Sequence, residues 1–201
     1  MLGLVSAVWQ PLLEFWFGTL HEGCAAPQQR RLWFTADADF DQQCEAFRDA
    51  LEALEQGRLQ SWLGHAEGCL AYILLADQLA RNLYRNDARA WALDAQARAA
   101  AVQGIRRGFD RGLGIDHRAF FYRPFAHAEE LLYQHLSVGL YTSLRDSSAP
   151  TLRQITGNEL RSAQQHRDVI QRFGRFPHRN QLLGRHSTSA ELAYLAAKSS
   201  A

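Results

Sequence analysis

Apolar residues along this chain recur at intervals of three and four and almost nowhere at two. That is the spacing of amphipathic helices, not of half-buried strands. The pattern predicts helices over 4–17, 38–56, 64–83, 87–107, 116–122, 124–145, 151–173 and 188–197. The breaks carry helix-stopping punctuation: Gly18, Gly57, Gly108 with Gly112 and Gly114, Ala149-Pro150, Gly174 and Pro177. Asp37 and Asp116 stand where N-caps are expected, and Thr188 to Glu191 has the Thr-x-x-Glu spacing of a capping box. No segment alternates as a strand, and no repeat of solenoid length recurs. The expectation is an all-α fold, a single-domain multi-helix bundle over 1–201.

Against that background, a few polar residues stand where packing alone would not put them. Leu70, Ile73, Leu74, Leu75, Leu79 and Leu83 make the segment 64–83 apolar around most of its circumference, as in a buried central helix. Asp77, Gln78, Arg81 and Asn82 interrupt it. Asp77 with Arg81, and Gln78 with Asn82, are each four apart, so each pair can meet on one helical face. An unpaired carboxylate there would cost several kcal/mol, so one reading is an internal ion pair that fixes packing. The other reading is the wall of a ligand pocket.

The predicted helix 124–145 opens with Pro124, a residue favoured in a first turn. His127 and Glu130 are three apart, Gln134 and Tyr141 lie further along the same face, and Glu129 is beside them. His-x-x-Glu can bring an imidazole and a carboxylate together for general acid–base chemistry or for two metal ligands. A carboxylate in a first helical turn also answers the helix dipole. His166 shares an apolar stripe with Ile170 and Phe173, the ordinary place of a core histidine. In Arg172-Phe-Gly-Arg-Phe-Pro-His-Arg-Asn180, Gly174 can end a helix and Pro177 stiffens the backbone after it. There Phe173 and Phe176 read as anchors, while Arg175, His178, Arg179 and Asn180 offer donors suited to a phosphate or carboxylate. The structural alternative is a loop that knits the C-terminal segment onto the bundle.

Composition narrows the function classes. A net charge of +1, from 22 basic and 21 acidic residues, gives no global field for nucleic acid or an anionic membrane. Aromatic and basic residues interleave in 172–180 as in single-strand RNA binders, but no wider basic surface accompanies them, and nucleic acid is not an expected partner. Charge is nonetheless uneven: seven acids against Arg48 between Asp37 and Glu55, six arginines against Asp168 from Arg161 to Arg185. Lys198 is the one lysine.

Cys24, Cys44 and Cys69 are odd in number and show no Cys-x-x-Cys spacing, which argues against a disulfide framework and a structural zinc site. The longest uncharged apolar run, 69–76, has eight residues, where a span needs about twenty. Met1 to Val8 is apolar without a basic residue, so it does not read as a secretory signal. The expected compartment is the cytoplasm. Phosphate-loop, dinucleotide, nucleophile-elbow and His-Glu-x-x-His motifs are absent, and no cofactor or metal is assigned.

Several stretches carry a resemblance. They are Leu13-Glu-Phe-Trp-Phe-Gly18, Trp33-Phe34 with Asp37 and Phe40-Asp41, Gly57-x-Leu59 with Trp62, and Asp77-Gln78-x-x-Arg81-Asn82-x-Tyr84-Arg85. They continue with Phe121-Tyr122-x-Pro124-Phe125-x-His127-x-Glu129, Gln134, the 172–180 stretch, Leu183-Gly-Arg185 and Ser187-Thr188. From about Leu13 to Leu195 the sequence resembles the bacterial domain-of-unknown-function 924 family, and the resemblance implies a tetratricopeptide-like helical fold. It implies no activity and no catalytic residues. The family pattern Asp-Gln-Phe-Pro-Arg-Asn is changed here by Leu79 and Ala80, and its His-Ser-Glu by Ala128.

These residues support two functional expectations. In the first, a polar pocket between helices binds or converts a small anionic metabolite. Asp77, Gln78, Arg81, Asn82, Gln134, His166, Arg175, His178, Arg179 and Asn180 would hold it, and His127 with Glu129 or Glu130 would move a proton. In the second, a tetratricopeptide-like module without catalytic activity binds protein partners, with Trp9, Trp33 or Trp62 as anchors.

Overall fold

The structure is a computed structural model that describes residues 7–35 and 37–199. Among them the chain is all-α, and no strand forms; one isolated antiparallel bridge joins His21 and Cys24. No helix of the described residues is long and apolar enough to cross a membrane. The chain gathers into two compact units: residues up to Arg85 with Arg89–Pro124, and Asn86–Ala88 with Phe125–Ala201.

The first unit holds α1 (Gln10–Phe17), α2 (Pro27–Leu32), α3 (Ala38–Cys44), α4 (Arg48–Glu55), α5 (Ala66–Ile73), α6 (Ala80–Leu83), α7 (Asp94–Arg106) and most of α8 (Ile115–Ala126). The expected central helix exists, but Leu74–Leu79, between α5 and α6, is wound as a π-helix. Leu70, Ile73, Leu74, Leu75 and Leu79 in this helix are wholly buried. Beside it α7 is rich in alanine, and Ala97, Ala100, Ala101 and Gly104 are buried, which lets α5 and α7 pack closely. Gly104 has a steric cause: a Cβ there would lie 2.4 Å from the ring of Phe121. Trp16 and Phe17 of α1 meet Phe120 edge-on, with ring centroids 5.6 and 5.5 Å apart. Each such buried aromatic contributes about 2–3 kcal/mol of apolar burial.

The second unit holds α9 (Leu131–Ser147), α10 (Arg153–Phe173) and α11 (Ser189–Ser199). α9 and α10 pack along one another and bury Tyr141, Leu144, Leu160, Ala163 and Ile170. Gly174 ends α10 in the left-handed region, φ 68°, with its N–H on the Ile170 carbonyl at 2.8 Å. The capping box forms in full: the Glu191 N–H donates to Thr188 Oγ1 at 3.3 Å, and the Thr188 N–H donates to Glu191 Oε2 at 2.7 Å. Asp37 caps α3, accepting from the Phe40 N–H at 2.9 Å.

Other expectations need correction. The first helix begins at Gln10, not residue 4; residues 1–6 lie outside the described set. A 3-10 turn, Glu45–Phe47, splits the predicted 38–56 helix, and another, Ala88–Trp91, delays the predicted 87–107 helix to Asp94. The six-residue α2, which opens on Pro27, is too short to announce itself by periodicity. Asp116 is no N-cap: it sits inside α8, where its carboxylate accepts from the Ala25 N–H at 2.7 Å and pairs with Arg30.

The largest correction concerns Pro124. It lies in the last turn of α8 instead of opening the next helix, which starts at Leu131. Proline removes a donor and disfavours a helical residue before it. Here burial of Phe120, Phe121 and Phe125 on the same helix outweighs that cost. His127, Glu129 and Glu130 therefore fall in the connection after α8, not on one helical face.

Candidate functional site

The polar residues singled out above fall into two clusters, one within each unit. In the first unit, Asp77 and Gln78 lie on the π-helical segment and Arg81 and Asn82 on α6. The Asp77 side chain is wholly buried, and Arg81 stands beside it with Nη1 3.3 Å from Oδ1. The same Nη1 donates to the Asp77 carbonyl, and the Gln78 amide donates to Asp77 Oδ2. Arg81 Nη2 reaches Asp94 Oδ1 on α7 at 2.9 Å. The expected Asp77–Arg81 pair is thus present. Gln78 and Asn82 do not pair with each other: the Asn82 amide donates to Asp41 Oδ1 at 2.7 Å.

Asp41 of α3 and Arg85 complete the cluster. Arg85 clamps the Asp41 carboxylate with two bonds, Nε to Oδ2 at 2.5 Å and Nη2 to Oδ1 at 2.6 Å. Burial raises the acid's pKa, but the hydrogen bonds from Arg85 and Asn82 outweigh it and hold the carboxyl below its ordinary value. The same pairing raises the Arg85 guanidinium above its ordinary value.

A pocket of about 220 Å³ opens here, lined by Trp33, Phe34, Thr35, Gln78, Arg81, Asn82 and Arg85. Its aromatic wall is held from behind, since the Trp33 indole N–H donates to the Trp16 carbonyl at 2.8 Å. Arg123 lies over the Phe34 ring at 4.8 Å. Trp33 was expected only as an anchor for a protein partner, and Phe34, Asp41, Arg85 and Asp94 were not among the expected site residues. The family-like stretches already contained all of them but Asp94, and Asp41 belongs to the acidic run 37–55.

In the second unit the groups engage one another. The Glu129 carboxylate accepts from Arg185 Nη1 at 2.6 Å, from Arg185 Nη2 at 3.0 Å and from the Phe176 N–H at 2.7 Å. Burial raises its pKa, but the Arg185 and Phe176 bonds prevail and hold it below the ordinary value. Glu129 is therefore ionised at neutral pH. Glu130 is exposed at the entry to α9. Gln134 is wholly buried, and its amide nitrogen donates to the carbonyls of Ala126 at 2.8 Å and Ala128 at 2.7 Å, near the end of α8.

The 172–180 stretch behaves similarly. Arg175 forms a two-bond clamp on Glu191, at 2.7 and 2.9 Å, and donates to the His186 carbonyl at 2.8 Å. Arg179 is buried, lies 4.7 Å over the Phe176 ring and donates to the His127 carbonyl at 3.1 Å. The Asn180 amide donates to Ser187 Oγ at 3.0 Å. Two imidazoles stand near Phe176, His166 at 5.4 Å and His178 at 5.6 Å between ring centroids, and the His127 ring lies 6.0 Å from that of His166. His178 is exposed. Sequence reasoning missed Ser137, which is wholly buried one turn from Gln134 on α9; its hydroxyl and Gln134 Oε1 have no partner among the described residues.

Among the described residues, no three His, Cys, Asp or Glu side chains gather as ligands for a metal ion. Burial raises the thiols of Cys24 to about 11 and of Cys44 and Cys69 to about 12, which keeps all three protonated and unreactive at neutral pH. Of the three expected tryptophan anchors, Trp62 is buried; Trp9 and Trp33 are half-buried against other rings.

The sequence model of a family described as bacterial protein of unknown function, number 924, matches residues 12–199. The chain belongs to this family. A solved structure of a protein of unknown function from Agrobacterium tumefaciens is similar, with a TM-score of 0.77 and 37% identity over 93% of this chain and 96% of that one. No curated protein matches the chain. Family membership therefore fixes the fold and leaves the chemistry to be argued from the two clusters.

Proposed function

We propose that the first unit binds a small molecule with an anionic end and a planar apolar part in the pocket lined by Trp33, Phe34 and Arg85. The observation that carries this reading is unused hydrogen-bonding capacity on the pocket lining. Arg85 commits Nε and Nη2 to Asp41 and leaves Nη1 without a partner among the described residues. Gln78 and Asn82 each donate once to a carboxylate and keep an amide oxygen available. The carboxylates hold both guanidiniums in place before a ligand arrives, and such preorganisation reduces the entropy lost on binding. π-Helical turns within α-helices are frequent at functional sites, and Asp77 and Gln78 sit on one.

Magnitudes limit the affinity. Asp41, Asp77 and Asp94 neutralise much of the charge on Arg81 and Arg85, so an anion gains mainly directed hydrogen bonds. A volume of about 220 Å³ equals roughly seven waters of liquid. A ligand of about ten heavy atoms at about −0.4 kcal/mol each would bind with a Kd of about 1 mM. Calorimetric titration with benzoate and phenyl phosphate tests the reading. Saturable binding near 1 mM is expected, weakened about tenfold in Arg85→Ala and unchanged in His178→Ala, where the side chain is exposed in the other unit. No saturation by about 20 mM, or equal binding by Arg85→Ala, would sink it.

A further inference from the structure

A second cavity in the first unit differs in chemistry from the pocket above. It has a volume of about 250 Å³ and is bordered by the end of α4, the 3-10 turn Gln60–Gly64, α5 and α7. α7 supplies one wall through Gln96, Ala99, Ala100 and Gln103, which recur at three, four and seven and share a helical face. The two alanines leave room that larger residues would fill, while the glutamines flank it. Tyr72 is almost fully buried and brings its hydroxyl to the floor, where it donates to Gln96 Oε1 at 3.4 Å. Neither the Gln103 side chain nor the exposed Glu55 carboxylate makes a hydrogen bond among the described residues.

We infer that this cavity is a binding site for a small neutral polyhydroxylated molecule, a monosaccharide or cyclic polyol. Three lines support that class. Each carboxamide offers a donor and an acceptor side by side, which matches a hydroxyl that both gives and takes a hydrogen bond. No lysine or arginine lines the cavity, and Glu55 is its one charged residue, so phosphate and carboxylate ligands are repelled. A carboxylate at the rim can accept from two neighbouring hydroxyls. The volume equals roughly eight waters of liquid, the size of a six-membered sugar ring with its hydroxyls. This site shares no lining residue with the pocket at Arg85, and the inference is independent of the function proposed there.

Saturation-transfer NMR with the full chain tests it, using glucose, galactose, ribose and myo-inositol as neutral probes, glucose 6-phosphate as the anionic comparator and putrescine as the cationic one. At least one neutral probe is expected to bind saturably with a Kd of about 1–10 mM, and glucose 6-phosphate at least about tenfold more weakly than glucose. Ala99→Phe places a ring in the cavity from an exposed helical position and is expected to abolish the signal; circular dichroism checks that this variant folds. Gln103→Ala is expected to weaken binding about threefold to tenfold through the lost amide. Arg85→Ala should leave all of it unchanged. Four unresponsive neutral probes, tighter binding of putrescine or of the phosphate ester, or an undiminished signal in both Ala99→Phe and Gln103→Ala would each overturn the inference.

Discussion

Both units build a cluster around a carboxylate held by arginine, yet the clusters differ in what remains available. In the second unit, Glu129, Arg185, Arg175, Glu191 and Asn180 meet partners within the same loop and helix ends, and the capacity left over, at Arg185 Nε, Asn180 Oδ1, Gln134 Oε1 and the Ser137 hydroxyl, is buried. In the first, Asp41, Asp77 and Asp94 hold Arg81 and Arg85 in place while groups on the same residues still face a pocket. The lesson is that residue type does not separate a site from structural glue. What separates them is whether hydrogen-bonding capacity is left over beside open space.

The depth of the two acids offers the sharpest way to test that contrast. Arg81→Met removes the guanidinium 3.3 Å from the wholly buried Asp77 carboxylate, and the first unit is expected to lose about 3–5 kcal/mol in urea denaturation. Arg185→Met should cost less, about 1–2 kcal/mol, because Glu129 keeps the Phe176 N–H and some contact with water. A larger loss at Arg185 than at Arg81 would reverse the comparison.

Acid gives the same pair a second reading. The folded-state pKa of Glu129 is below its ordinary value of 4.5, so its contribution is fully present above about pH 5 and fades as pH falls through the lowered value. The stability difference between the wild type and Glu129→Gln should take that course and vanish in strong acid. The smallest effect is expected at the α11 cap, where Thr188→Ala removes one hydrogen bond for about 1 kcal/mol, read as a shift in the urea midpoint.

Much of this was legible in the sequence, and the exceptions have physical causes. Periodicity revealed the central helix at 64–83 and the long α10, because leucine stripes at three and four leave little choice of element. It could not reveal the π-helical turn: over six residues that are all buried, a winding of about 4.4 per turn leaves the same apolar trace as about 3.6. The Asp77–Arg81 pair was readable from spacing alone, whereas Asp41 and Asp94 join that cluster from distant helices, which no local rule can show. The His127–Glu130 spacing misled because it presumed that Pro124 starts a helix. Packing of its aromatic neighbours carried α8 through that proline and left His127, Glu129 and Glu130 in a bend. The 172–180 stretch looked like an anion site because its donors are visible in sequence and the acceptors that take them, Glu129, Glu191 and the His127 carbonyl, are not adjacent.

Glu191 has a practical consequence for anyone who trims this chain for expression. The same carboxylate starts α11, by accepting from Thr188, and anchors Arg175 beyond the end of α10. Three residues on, the ring of Tyr194 lies 5.3 Å from that of Phe173. A truncation that stops before residue 189 deletes Glu191 and Tyr194 at once, leaving Arg175 only the His186 carbonyl and uncovering an aromatic ring. A shortened version that ends there should be sticky and protease-sensitive, and the safe boundary for domain mapping or affinity tags lies beyond Tyr194.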